Sequence, residues 1–231
     1  MNNILKARKH DFIILPESHS THERLRAFGE RSDTSGLRMF ASHHEDVDKQ
    51  TSSGGIAIVF REDFLGRFEE GVRCKELVTG RLLLVTLKGK EGTLQIAAVY
   101  GDTGTGAAAS REECWTTLAE SALPQDESTL LLAGDFNMIE DPNQRCSWGE
   151  EELRLGIGTL VGGEEKRAWD NLKGKLGLYD LEQPMHTYFH KGQHRSAHLD
   201  RVYSNLHVAE QHNWDQFCDI LPEAPPKKKG E

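Results

Sequence analysis

The sequence predicts an α/β domain built around a mixed β-sheet, and three observations carry that expectation. Short β-branched or leucine-rich runs recur along the 231 residues, each bounded by polar, glycine-bearing stretches. Two consecutive runs are joined by a short link that suits a hairpin and therefore antiparallel pairing. Between other runs lie two segments whose apolar residues recur at helical spacing.

The runs are Phe12 to Leu15, Ile56 to Phe60, Arg81 to Leu87, Leu94 to Tyr100, Thr129 to Ala133 and Leu199 to Tyr203. The hairpin link is Lys88-Gly89-Lys90-Glu91-Gly92-Thr93. A first helix is expected from Ser110, where Ser110-Arg111-Glu112-Glu113 forms a capping-box pattern, to about Ser121, with Pro124 as the stop. A second is expected over Glu164 to Leu176, with Ala168, Trp169, Leu172 and Leu176 on one face and Gly177 as the C-cap. A short N-terminal helix should end at Lys9. Arg31 to Ser53 and Asp141 to Gly163 read as long loops. Residues 1–221 read as one domain and 222–231 as an unpacked, disordered tail.

Composition narrows the function. A 37% hydrophobic share with mean hydropathy of −0.58 is polar for a globular chain, yet the 28% charged residues are ordinary, so a folded domain is expected. No apolar run approaches the length of a membrane span, and the N-terminus lacks a secretory signal, so the expected location is intracellular, in nucleus or cytoplasm. The four cysteines, Cys74, Cys114, Cys146 and Cys218, are scattered with no Cys-x-x-Cys pair, which argues for reduced packing residues. A net charge of −9 and a pI near 5.7 disfavour coating of nucleic acid by bulk attraction. They do not exclude a carboxylate cluster that holds a cation against a single phosphate.

Such carboxylates end several strands. Leu131-Leu132-Ala133-Gly134-Asp135-Phe136-Asn137 places a carboxylate and a carboxamide at a strand end, where Asp135 can accept a proton or orient water and Asn137 can donate to an anion. An Asx turn is the plainer reading of the same residues. Phe12-Ile13-Ile14-Leu15-Pro16-Glu17-Ser18-His19 also ends in a carboxylate, a hard ligand suited to magnesium. Ser53-Gly54-Gly55 opens a strand. Asp200 lies within an otherwise apolar strand, a costly placement unless a partner satisfies it.

In their order these blocks resemble the endonuclease/exonuclease/phosphatase superfamily, most closely the apurinic-type endonuclease domain of non-LTR retrotransposons. The matching blocks are Leu15-Pro16-Glu17-Ser18-His19, Ser53-Gly54-Gly55-Ile56-Ala57, Val99-Tyr100, Ala133-Gly134-Asp135-Phe136-Asn137, Gly177-Leu178-Tyr179-Asp180, Thr187-Tyr188-Phe189 and Leu199-Asp200-Arg201-Val202-Tyr203. The resemblance spans about Lys6 to Asn205. It implies a four-layer α/β sandwich, two mixed β-sheets packed face to face and flanked by helices, with the site at one edge. It also implies hydrolysis of DNA phosphodiesters with Mg2+, or Mn2+ in its place. Glu17 would be the metal carboxylate and Asp135 the residue that positions or activates water. Asn137 and Tyr100 would contact the scissile phosphate, and Asp200 would orient a catalytic histidine.

Two family features are not seen: an opening strand with asparagine, and a closing Ser-Asp-His strand that carries the general acid/base. After Asp200 the histidines are His207 and His212, neither preceded by aspartate. The expectation is a domain lacking its first and last family strands, with impaired activity. Two alternatives stay open: an inactive remnant binding nucleic acid or metal weakly, and a branch acting on phosphoinositides or sphingolipids.

Other features have plainer explanations. Gly104-Thr105-Gly106 between strand and helix imitates a dinucleotide fingerprint, with Asp126 or Glu127 as the ribose acid, but the preceding run belongs to an antiparallel hairpin. His43-His44-Glu45-Asp46 reads as solvated loop. His186, His190, His194 and His198 recur every fourth residue, but Pro184 and Gly192 argue for strands and a turn. Trp169 should be buried rather than stack on bases, and Lys227 to Lys229 reads as a solubilising patch.

Overall fold

The structure is a computed structural model that describes residues 10–18, 27, 36–46, 51–147, 159–181, 186–190 and 195–206. The expected N-terminal helix and the tail from residue 207 onward, with His207 and His212, lie outside the described residues. In chain order the strands are β1 (Phe12–Pro16), β2 (Leu37–Asp46), β3 (Thr51–Arg61), β4 (Gly71–Val78), β5 (Leu82–Gly89), β6 (Gly92–Tyr100), β7 (Thr129–Asp135), β8 (Met138–Ile139), β9 (Arg145–Ser147), β10 (Thr159–Leu160), β11 (Tyr179–Asp180), β12 (Tyr188–His190), β13 (Arg195–Ala197) and β14 (Asp200–Ser204). The helices are α1 (Glu62–Leu65), α2 (Ala107–Ser121) and α3 (Gly163–Leu176).

Two sheets dominate. One has six strands in the order β11-β14-β7-β6-β5-β4, antiparallel except for the parallel pair β6 and β7. The other runs β1-β3-β2 and is antiparallel among its described strands. Strand alternation explains why β5 and β6 read as continuous apolar runs. Leu83, Val85 and Leu87 of β5 and Ile96 and Ala98 of β6 face Ile56, Ile58 and Phe60 of β3, while Leu82, Leu84, Ala97 and Val99 face α2 and α3. A strand buried on both faces shows no polar alternation. Sheet, sheet and helical pair are thus three layers of the expected sandwich among the described residues.

All six expected strands and both expected helices are present, and four details differ. Helix α2 begins a turn earlier than its capping box, because Ala107-Ala108-Ala109 are strong helix formers; Gly106 in the left-handed region is the N-cap and no side chain caps it. The hairpin link shortens to Lys90-Glu91, with Gly89 paired to Gly92. The two expected long loops contain strands, β2 within Arg31 to Ser53 and β9 and β10 within Asp141 to Gly163, and β4 is a further strand; all four are sheet-end strands, and β4 has four consecutive exposed residues and so little apolar signal. The hairpin, contrary to expectation, does not exclude a dinucleotide fold. Strand β6 pairs antiparallel with β5 but reaches β7 through α2 as a parallel crossover. What excludes that fold is position: Asp126 and Glu127 precede β7 and therefore sit at the opposite sheet edge from Gly104 and Gly106, which follow β6. Cys114 is buried as expected, whereas Cys74 is exposed on β4.

Helix α3 ends as its sequence predicts, with Gly177 left-handed (φ +64) and Leu178 N–H closing on the Lys173 carbonyl. It packs on α2 around Trp115 and Trp169, whose ring centroids are 4.9 Å apart, with Phe136 and Tyr203 completing the aromatic cluster. Between these helices Arg111 and Glu165 form a buried two-pronged ion pair, at 2.6 and 3.1 Å. Removing one charge strands the other in a dry interior. Glu165→Gln should therefore lower the unfolding free energy by about 3–5 kcal/mol in urea titrations, and Arg111→Met with Glu165→Met should recover much of that loss.

Candidate active site

The site residues named from sequence come from the ends of four strands, β1, β6, β7 and β14, and from the turn after β7. Tyr100 stands opposite Asp135 in the parallel β6–β7 ladder, and Asp135 stands opposite Asp200 in the antiparallel β7–β14 ladder. In-register neighbours share a face. That face looks toward the smaller sheet, since Leu130 and Leu132 of β7 and Tyr203 of β14 point the other way into the helix-side core. Strand β1, packed near β6 and β7, brings Glu17 from the smaller sheet, and the Tyr100 phenol donates to Glu17 Oε1 at 2.5 Å.

Asn137 joins by a turn rather than by strand alternation. Strand β7 stops at Asp135, and the Asn137 N–H folds back onto Asp135 Oδ1 at 2.9 Å, the Asx turn that the sequence also allowed. The Asn137 amide then donates to Asp135 Oδ2 at 3.0 Å and to the Gly101 carbonyl at 2.9 Å. Among the described residues the non-glycine positions with left-handed backbone are Glu17 and Asn137, both at φ +49. Such strain persists where surrounding structure over-determines it. Here the supports are close backbone approaches: a Cβ on Gly134 would lie 2.0 Å from the Val99 carbonyl oxygen, and one on Gly101 would lie 2.1 Å from that of Phe136. Only glycine fits at either place.

Crowded acids set the electrostatics. Burial first, then the Asp200 and Glu17 carboxylates, push the Asp135 pKa from 3.8 up to about 6, against the pull of its bonds from Asn137. Burial and Glu17 also raise Asp200, opposed by a bond from the Thr187 hydroxyl. Burial and the bond to Glu17 hold the Tyr100 phenol protonated well above its usual range.

Thr187 and Arg81 were missed as site residues. The Thr187 oxygen accepts from the Leu199 and Asp200 N–H groups at 3.1 and 2.9 Å and so fixes the start of β14. Its signal in sequence was the Thr-Tyr-Phe block. The Arg81 guanidinium lies 4.8 Å from the centroid of the Tyr100 ring. A basic residue opening an apolar strand is too common a pattern to single it out. Conversely Arg201, part of the Leu-Asp-Arg block, is buried, pairs with Glu140 at 3.1 Å and donates to the Met138 carbonyl, which makes it a structural anchor.

A cation fits the rim by charge. Glu17, Asp135 and Asp200 repel one another, and a divalent ion would offset that repulsion. Among the described residues no cluster of three His, Cys, Asp or Glu encloses a metal position. Magnesium needs no such cage, because it commonly keeps its waters and takes one or two carboxylates.

Similarity to solved structures is extensive in shape and low in sequence. The AP endonuclease LMAP from Leishmania major is 14% identical, with a TM-score of 0.61 over 90% of this chain and 74% of that one. The endonuclease domain of TRAS1, a telomere-specific non-LTR retrotransposon, is 13% identical, with a TM-score of 0.52 over 87% and 75%. An endonuclease/exonuclease/phosphatase from Beutenbergia cavernae is 13% identical, with a TM-score of 0.58 over 89% and 57%. No family sequence profile matches the chain, and no curated protein matches it by sequence. The fold is that of the endonuclease/exonuclease/phosphatase proteins, as the ordered motifs predicted.

The raised Asp135 pKa has a measurable consequence. Because the folded value, about 6, exceeds the ordinary 3.8, this group favours folding fully below pH 3.8, and that contribution is lost as pH rises through 6. In metal-free buffer the loss should reach about 3 kcal/mol across that window. Asp200→Asn removes the nearest repelling charge and keeps an acceptor for Thr187. In that variant the Asp135 midpoint, followed by carboxyl NMR, should fall below 6 and the stability loss should shrink.

Proposed function

We propose that this chain is a divalent-metal-dependent phosphodiesterase that nicks DNA, of the retroelement endonuclease type. The observation that carries the reading is the in-register row of Tyr100, Asp135 and Asp200, met across the gap between sheets by Glu17. In-line attack at phosphorus needs an oriented water, a donor for the charged oxygens and stabilisation of the leaving oxygen. The row contains a chemically suitable group for the first two of these.

Glu17 is the exposed carboxylate of the set and would hold Mg2+ or Mn2+. When bound, the ion neutralises charge developing on the phosphate and its leaving oxygen. Asp135, at the centre of the row, accepts the proton of the attacking water. Its bonds from Asn137 fix which lone pairs remain for that proton. Tyr100 stays neutral, and its single phenolic proton, donated to Glu17 Oε1 here, must leave that carboxylate to reach a phosphate oxygen. The Asn137 amide protons are already committed to Gly101 and Asp135, so contact with phosphate replaces one of those bonds. Asp200, tied down by Thr187, is the acceptor that would orient an imidazole.

DNA as the substrate is supported by the motif order and by the two structural neighbours named as endonucleases. A supercoiled-plasmid assay tests it. Wild-type protein should convert the plasmid to open circles with Mg2+ or Mn2+ and cease on addition of EDTA. Asp135→Ala and Glu17→Gln should each lose roughly 10²–10⁴-fold in rate. Equal rates for all three proteins would remove the catalytic assignment, and a panel including phosphoinositides separates the nucleic-acid reading from a lipid one.

A further inference from the structure

Arg81 is a cation at the carboxylate rim that the proposed reaction does not use. It directly precedes β5, and its carbonyl accepts the Tyr100 N–H at 2.9 Å. Its guanidinium stacks on the Tyr100 ring, and Nη2 donates to Asp102 Oδ1 at 3.0 Å. The same Asp102 oxygen accepts from the Thr103 N–H at 3.0 Å, while the Asp102 carbonyl accepts from Arg111 Nη1 at 2.7 Å. Arg111 is locked in turn by buried Glu165. Residue 102 is therefore held through its carboxylate by one arginine and through its carbonyl by another.

What this clamp fixes is the neighbouring backbone. The Gly101 carbonyl, one residue before Asp102, is an acceptor for the Asn137 amide, and the Gly101 N–H closes on the Asp135 carbonyl at 2.7 Å. The clamp also bears on Gly54, the first glycine of the pair in β3. A Cβ on Gly54 would lie 3.0 Å from Tyr100 Cε1 and 3.2 Å from Arg81 Nη1, pressing on the stacked pair from the facing sheet. As an ion pair alone, the partly exposed Arg81 and Asp102 would add little to stability. Their consequence is geometric.

We propose that Arg81 is a positioning residue for phosphodiester hydrolysis, seating the Tyr100 ring by stacking and, through Asp102, holding the Gly101–Asp102 turn against which Asn137 is aligned. The inference rests on the phosphodiesterase reading above. It requires a planar guanidinium, since lysine can supply the charge but neither the stacking plane nor the fork.

The test uses the full chain in the plasmid assay with Mg2+, comparing wild type, Arg81→Met, Arg81→Lys, Tyr100→Phe and Arg81→Met with Tyr100→Phe. Arg81→Met should lose on the order of 10²-fold in kcat, the scale of a small misplacement, with KM and Tm little changed. Arg81→Lys should restore only a small part, and the double variant should lose less than the product of the single losses. In tyrosine-ring carbon NMR without metal, the Tyr100 signal, identified by its absence from Tyr100→Phe, should shift in both Arg81 variants. If Arg81→Met does not fold, Arg81→Lys carries the same comparisons. An active wild type whose Arg81 variants stay within about twofold in kcat, or whose losses multiply, or an unmoved Tyr100 signal, overturns the inference alone. A wild type that cleaves no phosphodiester removes the functional reading and the inference together.

Discussion

Mutual repulsion among Glu17, Asp135 and Asp200 is the constraint to which the rest of the rim answers. Three carboxylates from three chain segments face one gap, and burial and each other's charge drive Asp135 and Asp200 toward protonation. Left to itself such a group would splay into solvent. It is held because two of its members sit on adjacent strands in register, where moving one means breaking a ladder. The third is bridged to that ladder by the Tyr100 phenol. Stability is thus given up locally to keep a site that a cation would complete, the exchange expected where function needs an unfavourable arrangement.

The backbone shows the same tension. Left-handed Glu17 and Asn137 flank the gap, one at the end of β1 and one just past β7. Neither side chain would aim where it does from an extended residue. The glycines that permit this are matched to particular neighbours: Gly134 admits the Val99 carbonyl, Gly101 that of Phe136, and Gly54 the stacked Tyr100 and Arg81. Glycine at Gly134 in the Gly-Asp-Phe-Asn block and at Gly101 after Val99-Tyr100 is therefore a requirement of close approach, because a single methyl group at either place collides with main chain.

Much of this was legible in the sequence because the strands are buried on both faces and their apolar runs stand out. Ile56 to Phe60 and Leu94 to Tyr100 needed no tertiary knowledge to be read as strands. The carboxylates were legible for the opposite reason, as polar residues ending or interrupting those runs. What could not be read depends on partners far away in sequence. Strand β4 is mostly exposed and exists by pairing with β5. The start of α2 was misplaced because a good capping pattern at Ser110 lost to three alanines before it. Arg81 gains its significance only when β6 lays Tyr100 beside it.

Strand alternation finally separates what a motif string runs together. In β14, Asp200 faces the gap between sheets, whereas Arg201, one residue on, points through the sheet toward the helices. There it donates to the Met138 carbonyl and Glu140 and lies 5.2 Å from the centroid of the Phe136 ring. In β7 and the turn after it, Asp135 and Asn137 serve the gap while Phe136 between them is fully buried in the aromatic cluster of α2 and α3. Each short block therefore carries one face of chemistry and one face of anchorage. Phe136 and Arg201 touch each other on the helix side of the sheet, and that contact locks together the two segments whose acids must stand opposite on the other side. The helix-side core is thus what gives the carboxylate row its register, and a substitution there would disturb the site without touching any residue in it.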